Sequence, residues 1–235
     1  MRNTWWAKTL RIVGIVLMGL TAAFTIMGGI GTTCVALDPT GYGGDFAGIA
    51  PYQWLYILFV IVTVAIGVLG VWTVVLLVKG TANTYRNTLL VLAAGIIVGC
   101  IHMAVSRNLR GGSMPVDMVV YVTFVTLIVF LFFRIPKIWQ GVNFEKPAKE
   151  GKDDNKAAGL ATVACGALTL TIQFVMAPTH TINGINYSDV WHTVLSLLGI
   201  GLILIGIVVA MDRPHATHVL EIETKTCSTG SAYQG

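Results

Sequence analysis

Six apolar runs, each about as long as a bilayer is thick, leave this chain few ways to fold. A helix needs roughly 20 mostly apolar residues to cross about 30 Å of hydrocarbon at about 1.5 Å per residue. Residues 12–34, 54–78, 88–105, 116–133, 157–177 and 190–211 meet that requirement, and none holds Lys, Arg or Glu. They also lack the apolar-out, polar-in alternation of a membrane β-strand. The expected fold class is an all-α integral membrane protein, a polytopic bundle of six transmembrane helices. That domain takes residues 1–211, and residues 212–235 form a C-terminal tail.

Composition agrees. Of the 235 residues 55% are hydrophobic and 11% charged, whereas a soluble domain carries about 25% charged residues. This excludes a typical soluble enzyme, and it is the opposite of a disordered chain.

The basic residues set the orientation. With the N-terminus cytoplasmic, thirteen of the fifteen Lys and Arg fall inside, and only Arg107 and Arg110 fall outside. The positive-inside rule then places both termini in the cytoplasm of a cell-membrane protein. Trp5, Trp6, Trp72 and Trp139 fall near the inner boundary and Trp54 and Trp191 near the outer one, as aromatic belts require. The net charge of +4 therefore follows the membrane boundary and not a groove for a polyanion, so nucleic acid is not an expected partner. Arg2, Lys8 and Arg11 precede a run too long for a typical signal-peptide core, so the first span reads as an uncleaved signal anchor.

Two connections are long. The outer one, before Trp54, is rich in Gly and Pro and reads as turns over the bundle mouth. In the inner one, Ile135, Ile138, Trp139 and Phe144 are expected in the headgroup layer, with the neighbouring lysines against anionic lipid. The tail reads as a solvated tether.

The few polar and soft side chains gather at the outer face. His102 ends the third span and His192 begins the sixth. Met103, Met176, Cys34, Cys100 and Asp117 fall at similar depth, with Gln173 one turn deeper. Gly95, Gly99 and His102 share one helix face, and so do His192, Ser196, Gly199 and Gly206. Small-residue stripes of this kind let backbones approach closely. If the third and sixth spans pack through these stripes, the two histidines face each other.

Three readings follow. In the first, the stripes only pack helices, and the chain is an accessory or structural subunit of a larger integral-membrane complex, without catalysis of its own. Its partners are then lipid and other membrane subunits or further copies of itself. In the second, His102 and His192 ligate a haem b or a metal, with Gly99 making room and Met103 or Met176 nearby, or they hydrogen-bond a quinone, in an electron-transfer subunit. In the third, the bundle is a small-solute channel or carrier. No CxxC, HExxH, GxSxG or phosphate-loop motif occurs. No mid-membrane Glu, Lys or Arg offers the titratable group of a proton-coupled transporter. Cys100 reads as a small buried apolar residue more than as a disulfide partner of Cys34.

Overall fold

The structure, a computed structural model, describes residues 4–41, 44, 46–145, 152–182, 184–186, 189 and 191–211. The tail from residue 212, the lysine-bearing segment 146–151, and the side chains of Gln173 and of residues 175–180, Met176 and His180 included, lie outside the described residues. Among the described residues seven helices follow one another: α1 (Trp5–Leu37), α2 (Gln53–Lys79), α3 (Thr84–Arg110), α4 (Val116–Phe133), α5 (Pro136–Val142), α6 (Lys152–His180) and α7 (His192–Met211). A 3-10 turn at Ala47–Tyr52 leads into α2, and a two-residue antiparallel strand pair joins α6 to α7. Among the described residues, α1, α2, α3, α4 and α7 are long and apolar enough to cross a membrane.

Several helices run past the apolar runs that predict them. The third begins at Thr84 and ends at Arg110, because polar residues at a water boundary can continue a helix once the apolar run has nucleated it. Gly80 and Gly111 end α2 and α3 in the left-handed region, at φ of 66° and 70°, which glycine enters without a Cβ clash.

Helix α1 is the hub. It packs against α2, α4, α5 and α6; α3 packs against α2 and α4, and α7 lies on α6. Close approach comes from small residues. Gly67 and Gly70 of α2 sit over Ile26 and Ala22 of α1, and Gly28 of α1 faces Val119 of α4. Apolar burial does little to join helices in lipid, so such contacts rest on van der Waals packing and interhelical hydrogen bonds. One such bond joins the hydroxyls of Thr21 and Thr126 at 2.7 Å.

The two ends of the bundle are closed differently. At the basal end, where α1 begins, Ile15, Met18, Leu77, Phe130, Phe133 and Phe144 form one buried cluster. Phe144 corrects an expectation. It does not lie in a headgroup layer but is fully buried, its ring 5.6 Å from those of Phe130 and Phe133. Helix α5 turns the chain back under the bundle and carries it there. Arg11 secures that turn: it donates to the carbonyls of Leu77 at 2.9 Å, Asn143 at 3.1 Å and Val142 at 3.4 Å. A guanidinium thus satisfies carbonyls that the ends of α2 and α5 leave open. At the distal end the 3-10 turn covers α1–α3, with Ile49 buried beside Ala36 and Tyr56.

Candidate functional site

Among the buried polar side chains, His102 is singular. On α3 the sequence Gly95-Ile-Ile-Val-Gly99-Cys-Ile-His102 sets two glycines and the imidazole on one face. A Cβ at Gly99 would meet Val120 Cγ2 at 2.6 Å, and one at Gly95 would meet Thr123 Cγ2 at 3.4 Å. The glycine stripe of α3 therefore serves the contact with α4. The imidazole turns toward α2, stacked on Phe59 with ring centres 4.3 Å apart and set edge-on to Tyr56 at 5.3 Å. The Tyr56 ring is anchored in turn, its hydroxyl 2.7 Å from that of Ser106. His102 is only 4% exposed, and its Nε2 has no hydrogen-bond partner among the described residues.

A cavity of about 20 Å³ lies beside it, where α1–α4 meet. Its lining includes Thr25, Gly28 and Thr32 of α1, Thr63 of α2, and Gly99 and His102. Thr25 and Thr32 donate their hydroxyl protons to the carbonyls of Thr21 and Gly28 on their own helix, so their polar groups are engaged within α1. By volume the space could hold one water molecule, but its walls are almost wholly apolar, whereas a buried water needs two to four polar neighbours.

The structure does not bring the two predicted histidines together. The Gly199–Gly206 stripe of α7 packs on α6, where Gly199 meets Gly166 and Leu170, and Gly206 meets Gly159 and Val163. The expected pairing of the third and sixth spans is therefore replaced by two separate ones, α3 with α4 and α6 with α7. Small-residue stripes show that a helix is approached closely, and say nothing of which helix approaches. His192 is exposed at the start of α7, on a helix whose principal neighbour is α6. Met103 is half-buried on α3.

The space beside His102 does not fit a haem or a quinone. A ligand of that size needs roughly 300 Å³ or more, and the space beside His102 is more than tenfold smaller. Among the described residues no three His, Cys, Asp or Glu side chains converge as a metal site would require. Cys34, Cys100 and Cys165 are free thiols. Nor does the threonine-bearing face of α1 continue as a polar path, because Met18, Phe130 and Phe144 fill the basal end with at most 1% exposure.

Beyond the cavity, the α3–α4 corner is tied by Arg107, which donates to Ser113 Oγ at 2.9 Å and pairs with Asp117 at 3.2 Å. The cation stands in the last turn of α3 and the carboxylate in the first turn of α4, each opposite in sign to its helix end. No family model, curated protein or solved structure matches this chain.

Proposed function

We propose that this chain is a six-span protein of the cell membrane, both termini cytoplasmic, that serves as an accessory or structural subunit of a larger membrane assembly without catalysis of its own. The span added to the five is α6, the fifth in chain order and a helix of 29 residues, and the orientation rests on the thirteen-to-two partition of Lys and Arg.

One observation carries the subunit reading: α7 has a single buried edge. Its 20 residues bury only Gly199 and Gly206, while Leu197, Leu198, Leu204, Ile205 and Val208 are all more than half exposed. A last helix that completed a self-sufficient bundle would insert between two neighbours; this one adds a flank to α6 and presents apolar surface on its other sides. Three polar contacts of the core support the same reading, since they hold helices together: Arg11 with α2 and α5, Thr21 with Thr126, Tyr56 with Ser106.

The test is purification at native abundance in a mild detergent, with a photo-reactive amino acid in place of Leu197 or Ile205. A complex well above the 25.2 kDa of one chain, with a discrete crosslinked partner or second copy, is the expected result. A stable monomer that crosslinks only to lipid overturns the proposal.

A further inference from the structure

Among the described residues, the Arg134 side chain is held in place without a hydrogen bond. Arg11 donates to three carbonyls, Arg107 to Ser113 and Asp117, and Arg110 to the carbonyl of Met114. Arg134, at the end of α4, instead lies over two aromatic rings, 5.3 Å from the centre of Trp139 and 5.7 Å from that of Tyr85. Both rings are fixed. The Tyr85 hydroxyl donates to the carbonyl of Phe130 at 2.8 Å, and Trp139 meets Tyr85 edge-on at 4.8 Å. Stacking of this kind orients a guanidinium and uses none of its five N–H donors. Among the described residues no carboxylate pairs with it: the ion pair they contain is Arg107–Asp117. The side chain is exposed, and so is Lys137 three residues on.

The surroundings identify the acceptor. Leu131, Phe132 and Ile135, on either side of Arg134 in the chain, are 52%, 59% and 44% exposed. A pre-oriented planar donor fork matches a phosphate bidentately, and an apolar surface beside it matches acyl chains. A soluble anion would use the fork and leave the apolar residues without a role. We infer that Arg134, braced by Trp139 and Tyr85, binds the phosphodiester of an anionic phospholipid whose chains lie along Leu131, Phe132 and Ile135. Lys137 adds positive charge that favours an anionic over a zwitterionic headgroup. The site stands independently of the subunit proposal, since it needs only a chain embedded in lipid.

The experiment uses the full chain in an uncharged detergent. Phosphatidylglycerol, phosphatidylcholine of the same acyl chains, and inorganic phosphate are titrated separately; bound lipid is counted by native mass spectrometry and the melting midpoint is followed. Phosphatidylglycerol is expected to be retained in preference to phosphatidylcholine, to raise the midpoint, and to resist competition by phosphate. Arg134→Gln is expected to weaken that retention about tenfold or more, the scale of one charge-assisted hydrogen-bond pair, with the lipid-free midpoint lowered only slightly by the loss of the two cation–π contacts. Arg110→Gln, at the other end of the bundle, leaves binding intact. Equal retention of the two lipids, displacement by inorganic phosphate, or undiminished binding in Arg134→Gln each overturns the inference. Should Arg134→Gln fail to fold, Arg134→Lys keeps the charge and lacks the fork; undiminished binding there overturns it as well.

Discussion

At the scale of single residues, the imidazole of His102 is in tension with its surroundings. A buried nitrogen without a protein partner costs free energy, whereas the same ring stacked on Phe59 and set against Tyr56 contributes packing that any aromatic of similar size can supply. The two contributions separate by substitution. His102→Phe keeps the stack and removes the nitrogen, so its unfolding midpoint in detergent is expected to equal or exceed that of the natural chain. His102→Ala removes the ring and enlarges the cavity, and is expected to cost about 2–4 kcal/mol, the scale of a large-to-small change in a packed core. If His102→Phe proves as damaging as His102→Ala, the nitrogen itself is engaged, by a bridging water or a ligand, and the packing account fails. His102 was legible as a candidate because a histidine in an apolar run is rare. Its true neighbours were not, because Tyr56 and Phe59 look like ordinary residues of an apolar helix.

Between elements, glycines decide which helices touch. Gly159 and Gly166 of α6 face the backbone of α7 at Gly206 and Gly199 so closely that an added Cβ would lie 2.5–2.7 Å from a carbonyl oxygen. Gly201, on the same helix α7, has nothing within 4 Å of such an atom. Gly159→Val is therefore expected to push α7 off α6 and lower the melting midpoint, and Gly201→Val to leave it unchanged; equal effects would mean that helix propensity and not close approach governs both. The same contacts show why the sequence named the helices and not their partners. Spanning length and apolarity are properties of one segment, readable along the chain. Pairing is a property of two surfaces, and the stripes at Gly95–Gly99 and Gly199–Gly206 are alike enough to suggest a match that α4 and α6 in fact supply. Phe144 was misplaced for a related reason. It follows Gly141-Val142-Asn143 in a segment without a spanning period, and nothing local announces that α5 folds back to deliver it beneath Gly14 of α1.

For the whole molecule, the open quantity is the number of crossings, and it turns on α6. With α6 counted, an even number of crossings returns the chain to its starting side, and the thirteen-to-two charge partition holds. Without it, the chain from residue 134 onward keeps its side only as far as α7, and the Gly184 turn moves to the face that carries Thr81. Three positions decide the matter in a chain whose natural cysteines have been replaced. Thr81→Cys lies in the α2–α3 turn, Gly112→Cys in the α3–α4 turn, and Gly184→Cys between α6 and α7, the first exposed, the second half-buried and the third exposed. A membrane-impermeant maleimide applied to intact cells is expected to label Gly112→Cys and Gly184→Cys and to reach Thr81→Cys only after permeabilisation. Labelling of Gly184→Cys together with Thr81→Cys would make α6 a helix that does not cross. Labelling of Thr81→Cys alone in intact cells would invert the whole bundle, and with it the assignment of the basic end to the cytoplasm.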